Sequence, residues 1–185
     1  MPGDPPVKHE VKQIRERLAY SNQFIELYDD DVEFPDGSSG RYVRLQSAMP
    51  GAPVVLVAMY EGRIALVRTF RYALGQLVWE LPRGFSQGLG VEDTARNELR
   101  EELGISSADI EVIGFLAPDS GMQSTRAAVV AAAVHAPMDG PEDINEVESI
   151  CWVTFEDLEQ MIRLGQVEDS FTVAACTLIR LHHRL

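Results

Sequence analysis

Cysteine is scarce in this chain, and its scarcity removes two classes of protein. Only Cys151 and Cys176 occur in 185 residues, too few and too far apart for a zinc cluster or a disulfide framework. Apolar or small neighbours surround each, so both read as buried structural thiols. Positive charge is scarce too. Lys and Arg number 16 against 29 Asp and Glu, giving a formal net charge of −13. Non-specific nucleic-acid binding needs the opposite surplus, so no nucleic-acid partner is expected. Long apolar runs are missing, none approaching the roughly 20 residues that cross a bilayer. Residues 1–10 are Pro-rich and charged, without the apolar centre of a signal peptide. The reading is a cytoplasmic protein with no membrane partner. No internal repeat is evident, and His182 and His183 read as a solvated helix end.

What is present fits one domain with a full core, or a core domain with a small extension. Apolar residues make up 45% and charged residues 24%, ordinary for a globular protein. Gln23 to Val32 alternates loosely and meets the turn Pro35-Asp36-Gly37-Ser38, after which Arg41 to Ser47 completes a hairpin. The composition shifts near Pro50-Gly51-Ala52-Pro53, where a boundary is placed between residues 1–50 and 51–185. Val54 to Tyr60 is a continuous apolar run, as a strand buried on both faces would be. Arg63 to Phe70 follows the turn Glu61-Gly62. Val91 to Leu103 turns helical, with Ala95, Leu99 and Leu103 four apart, acidic residues opposite, and Gly104 as the stop. Ile110 to Ala117, Ala127 to Val134 and Ser149 to Val153 read as strands. Helices are expected from Glu156-Asp157 and over Phe171 to Leu181. Strands flanked by helices make this an α/β (α+β) fold.

The most informative stretch is Asn97-Glu98-Leu99-Arg100-Glu101-Glu102-Leu103-Gly104-Ile105. Positions i, i+3 and i+4 share one helix face, so Glu98, Glu101 and Glu102 project together. Taken alone they could form a solvated acidic face. A divalent cation among them would make the cluster favourable, and Mg²⁺ suits it as a hard ion that takes oxygen ligands. Such a metal would also answer the net charge, since an acidic protein needs local positive charge to hold a phosphate-bearing substrate. Upstream, Trp79-Glu80-Leu81-Pro82-Arg83-Gly84 enters a Gly-rich loop, residues 85–90, that delivers the chain to this helix.

Together these residues resemble the Nudix family, whose box runs from a Gly through a Glu to Arg-Glu-apolar-any-Glu-Glu-any-Gly-apolar. Gly84, Glu98, Leu99, Glu101, Glu102, Gly104 and Ile105 follow its order and, from Glu98 onward, its spacing. Three departures stand out. Asn97 fills the Arg slot, Leu89 fills the first Glu slot, and the loop is one residue short. The family's Glu and Arg brace each other across the loop, and here both are gone together, a far milder loss than leaving one charge unpaired. Arg96 and Glu92, four apart, offer a weak substitute. The resemblance implies an α/β/α sandwich with a mixed sheet and a diphosphate-cutting enzyme. It also implies Glu98, Glu101 and Glu102 as Mg²⁺ ligands, Mn²⁺ substituting, with the Arg83 carbonyl adding a ligand and Glu101 and Glu102 serving catalysis.

Asn22-Gln23-Phe24-Ile25, Pro35-Asp36-Gly37, residues 67–72, Trp79-Glu80-Leu81-Pro82 and residues 169–178 look like the ADP-ribose pyrophosphatase branch. That likeness implies ADP-ribose or another nucleoside-diphosphate sugar as substrate. It also implies a small β extension over residues 1–50 that joins two subunits into a homodimer. Phe24 and Tyr42 are the candidates to stack on adenine, or else they pack the hairpin. Arg71 is expected on a substrate phosphate, with Glu80 as a polar partner near the ribose or metal. Arg68 competes with it from the opposite strand face. The general base stays open. The slot that often holds it carries Thr125, while Asp119, Glu142, Asp143 and Glu146 are within the expected reach. The alternative reading is a weak or inactive module that binds nucleotide sugars.

Overall fold

The computed structural model describes residues 9–136, 141 and 146–183. Two compact units result, Met1–Met49 with Asp119–Thr125, and Pro50–Pro118 with Arg126–Leu185.

The first unit is an antiparallel sheet built on one long strand. Strands β1 (Lys12–Arg15) and β2 (Leu18–Ser21) lie end to end along one edge of β3 (Ile25–Glu33), and β4 (Ser39–Ser47) lies along the other. The β3–β4 turn is closed by Phe34 N–H donating to Ser38 O at 2.8 Å and Gly37 N–H to Phe34 O at 2.8 Å. Gly37 takes φ 82° there, where a Cβ would be strained. The segment Asp119–Thr125 ties onto β4. Leu45 N–H donates to Met122 O, Ser124 N–H to Leu45 O, and Ser47 N–H to Thr125 Oγ1 at 2.9 Å.

The second unit is an α/β/α sandwich. Its strands are β5 (Val54–Tyr60), β6 (Arg63–Arg71), β7 (Gln76–Glu80), β8 (Arg83–Gly84), β9 (Ala108–Leu116), β10 (Ala127–Val134) and β11 (Val147–Thr154). The sheet runs β11-β6-β5-β10-β9 and is mixed, because β5 and β10 are parallel while the other pairs are antiparallel. Helix α1 (Val91–Leu103) covers one face, packing Ala95, Leu99 and Leu103 on Val54, Leu56, Val67 and Val130. Helices α2 (Phe155–Arg163) and α3 (Ser170–His183) cover the other. There Leu158, Ala175 and Ile179 meet Val55, Leu66 and Val129. The apolar run of β5 alternates between these two cores, which is why it carries no polar face.

One feature of this sheet places the site. β5 and β6 pair only at Met59–Ile64 and Tyr60–Arg63. Beyond that they diverge, β6 pairing with β7 and β5 with β8. The fork holds the corner Leu81-Pro82 and leads straight to α1. The helix ends where the sequence indicates: Gly104, at φ 67°, donates to Arg100 O, and Ile105 N–H donates to Leu99 O. On the acidic side of α1, Glu98 and Glu102 are buried, so this side is not a solvated acidic face. No helix among the described residues is long and apolar enough to cross a membrane.

Candidate active site

Glu98 and Glu102 stand one turn apart on α1, and both turn under β8. They keep only 8% and 4% of their surface exposed. Glu98 fits because Gly84 has no side chain; a Cβ there would overlap the Glu98 carboxylate. Glu102 Oε1 accepts the Arg83 backbone N–H at 3.3 Å. Burial pushes the Glu98 carboxyl up to about 7, helped by the charges of Glu101 and Glu146. Burial pushes Glu102 to about 9, with Glu98 and Glu146 adding repulsion. Glu101 behaves differently. It is half-exposed, and its Oε1 lies 3.5 Å from Arg100 Nη2. The helix spacing therefore puts three glutamates on one side, and the loop above selects two of them.

The shortened loop is held without the missing Glu–Arg brace. Ser86 is buried, its hydroxyl donates to Pro50 O, and Gly51, at φ 90°, packs directly against it. Gly88 N–H donates to Pro50 O at 3.2 Å and Leu89 N–H to Ser86 O at 2.8 Å. Leu89 is exposed and Asn97 half-buried. Arg96 does not take over the brace by turning to Glu92; its Nη1 donates to Ala108 O at 3.2 Å, where the β9 strand begins. A serine inside a Gly-rich loop carries no periodicity, so nothing in the local pattern marks Ser86.

Beside the glutamates runs a chain of alternating charge. Arg71 Nη2 pairs with Glu80 Oε1, and Glu80 Oε2 accepts Arg83 Nη2 at 3.2 Å. Arg83 Nη2 also lies 3.5 Å from Asp169 Oδ1, and its guanidinium sits 5.0 Å above the Phe171 ring. Glu80 is 1% exposed. Burial alone would lower the Arg71 pKa, but Glu80 outweighs it and holds the guanidinium charged, with Glu146 and Glu102 adding to the effect. Arg68 points to the other face, stacking 5.7 Å over Trp79 and lying 3.9 Å from Glu148. Arg71 is thus the arginine of this pair that stands with the carboxylates. Asp169 is a residue that sequence reading passed over. The spacing Asp169-x-x-Thr172 at the start of a helix was its signal.

The remaining candidates fall as follows. Glu146, just before β11, acts electrostatically on Glu98, Glu102 and Arg71 together. Glu142 and Asp143 lie outside the described residues. Asp119 and Thr125 belong to the first unit. There Asp119 Oδ1 closes a turn by accepting Gly121 N–H at 3.0 Å, and Thr125 serves Ser47. Phe24 and Tyr42 are also in the first unit and partly exposed, and the Tyr42 hydroxyl donates to Gly121 O at 2.9 Å. Phe24 O accepts Ala48 N–H, whereas Tyr42 faces Asp30. Along the hairpin their backbone positions are about six residues apart, on the order of 20 Å.

The donor set fits a hard divalent cation. Two of the three helix carboxylates are buried side by side, and Gly84 leaves room for the Glu98 carboxylate beside its backbone. Among the described residues no three Asp, Glu, His or Cys side chains already converge into a cage. An ion here would keep part of its water shell, as Mg²⁺ does.

Comparison with known proteins follows the same lines. Residues 49–173 match the family model described as NUDIX domain. An ADP-ribose pyrophosphatase of Bacillus subtilis is 29% identical over 179 residues, covering 95% of this chain and 96% of that one. A methanol dehydrogenase activator of Bacillus methanolicus is 26% identical over the same coverage. Among solved structures, an ADP compounds hydrolase superposes with a TM-score of 0.80 over 95% of both chains at 17% identity, a likeness of fold.

Proposed function

Since the chain belongs to the NUDIX family and is a Nudix pyrophosphohydrolase, we propose that it cuts the diphosphate bond of ADP-ribose or a related nucleoside-diphosphate sugar. The products are a nucleoside monophosphate and a sugar phosphate. The observation that carries this reading is the buried Glu98–Glu102 pair under Gly84, flanked by Glu146 and by Arg71 on its Glu80 anchor. Members of the family generally use divalent metal cations, and the ion assigned here is Mg²⁺, with Mn²⁺ as a substitute.

Glu98, Glu101, Glu102 and the Arg83 carbonyl are the proposed ligands, and the bound ion would supply charge neutralisation on the diphosphate and an acidified water. Arg71 binds a phosphate oxygen with the guanidinium edge that Glu80 leaves free. Glu80, fixed by two arginines, holds that edge in place. Glu146 receives the proton of the attacking water. Of the four candidate bases, it is the described one whose charge reaches both buried glutamates and Arg71. Phe24 and Tyr42 offer partly exposed rings to stack on the adenine. A homodimer through residues 1–50 and a cytoplasmic location complete the proposal.

The test is a panel of nucleoside diphosphate derivatives with Mg²⁺ or Mn²⁺, the products identified by mass. Release of AMP from ADP-ribose is expected. Tight binding without turnover across the panel would replace the enzyme with a nucleotide-sugar binding module.

A further inference from the structure

Arg83 sits at the fork of the sheet, and its side chain joins the two faces. Toward α3 it lies over Phe171 and beside Asp169; toward α1 it meets Glu80. Both polar contacts are made by Nη2, and Nε is buried without a partner among the described residues. Asp169 cannot drift, because its Oδ2 accepts both the backbone N–H and the hydroxyl of Thr172 at 2.8 Å. Thr172 Oγ1 in turn accepts Leu81 N–H at 2.9 Å. The first turn of α3 is thereby fastened to the residue following Glu80. Asp169, Arg83, Glu80 and Arg71 then form one line of alternating sign that begins at a capped helix and ends at a guanidinium.

We propose that Asp169 and Arg83 are positioning residues that latch Glu80 and so aim Arg71 at the substrate phosphate. This rests on the reading of Arg71 as a phosphate ligand. The reasoning is mechanical as well as electrostatic. Glu80 is buried and accepts one arginine on each oxygen, so its plane is set by both. If Arg83 loses its hold on Asp169, it can follow Glu80 or leave it, and the plane that orients Arg71 is no longer fixed. Phe171 limits the same freedom from below, since a guanidinium stacked on a ring keeps its plane.

Asp169→Asn separates this role from a structural one, because asparagine also caps a helix but does not hold a cation. Relative to wild type, Asp169→Asn is expected to raise KM for ADP-ribose about tenfold with kcat within about twofold, the pattern of lost substrate binding. The melting temperature should stay close to wild type. In an Arg71→Met background the same change should add almost nothing, as coupled residues require. The ¹⁵N resonance of the Arg71 Nε–H, assigned by its loss in Arg71→Lys, should shift or broaden in Asp169→Asn. An unaltered KM, or full additivity with Arg71→Met, overturns the latch. If the wild type turns over no nucleoside diphosphate derivative, the functional reading fails. The latch is then judged by the Arg71 resonance, a shift supporting it and an unchanged signal overturning it.

Discussion

Gly84 and Glu98 share the space of a single side chain, so the smallest substitution at Gly84 tests the site. In Gly84→Ala the new methyl overlaps the Glu98 carboxylate, which must swing out or push β8 away. Overpacking of this kind costs about 1–3 kcal/mol. Because the displaced atoms are the proposed ligands, the rate should fall at least about tenfold while the fold persists. Circular dichroism and steady-state kinetics together check this, and full activity in a folded variant would remove Gly84 from the site. Glu102→Gln makes the complementary test. It removes a carboxyl whose ionised form burial and Glu98 oppose in the folded protein, so the metal-free protein should be as stable as wild type or more so. Turnover should fall on the order of 10³-fold, as expected when a metal-assisted step loses its ligand. At this scale the sequence was informative but undiscriminating. The i, i+3, i+4 spacing marks Glu98, Glu101 and Glu102 alike. Only the approach of Gly84 separates the buried pair from Glu101, which lies against Arg100.

Elements with a buried face announced themselves, and elements without one did not. Helix α1 carries a clean four-residue spacing of Ala95, Leu99 and Leu103 because that stripe meets a core, and Gly104 ends it through a left-handed turn. β1 and β2 are exposed along their whole length, so no alternation distinguishes them from loop. They are held by β3 backbone pairing and by polar side chains, chiefly around Asp30. That carboxylate is buried in the sheet and accepts Gln13 Nε2 at 2.9 Å, Arg17 N–H at 2.9 Å and Arg44 Nε at 2.6 Å. Burial pushes its pKa up, but these donors and the Arg44 charge more than offset that and hold it below the usual value. The sign follows from linkage. A carboxylate with a depressed folded pKa adds stability above its unfolded pKa, and loses it as pH falls through the folded one. Unfolding by urea between about pH 7 and about pH 3 should therefore show the first unit weakening at the acid end. Asp30→Asn should be less stable at neutral pH and flatter with pH. A wild-type slope retained in Asp30→Asn would reassign the effect to other carboxylates.

At the scale of the whole chain, two facts escaped local pattern. Residues 119–125 leave the strands of the second unit to tie onto β4 of the first, through contacts such as Ser47 N–H to Thr125 Oγ1 that span 78 positions. Pairing over that distance leaves no periodic trace. Charge is the other, since the total of −13 is legible but its gathering is not. Glu98, Glu102 and Glu146 are brought within range of one another, and Glu80 also acts on Glu102. Their repulsion opposes the folded state, and a cation bound there relieves it. Mg²⁺ that binds only the folded chain at about a hundred times its Kd should add about 2.7 kcal/mol. For a chain of this size that corresponds to roughly 5–10 °C in melting temperature. General screening of an acidic protein would also stabilise, so the comparison is made against NaCl of equal ionic strength and against chelator. A site-specific effect should saturate with Mg²⁺, exceed the NaCl effect and vanish in Glu98→Gln combined with Glu102→Gln. If that double variant gains as much from Mg²⁺ as the wild type does, the ion acts on the surface at large, and the two buried glutamates are not its ligands.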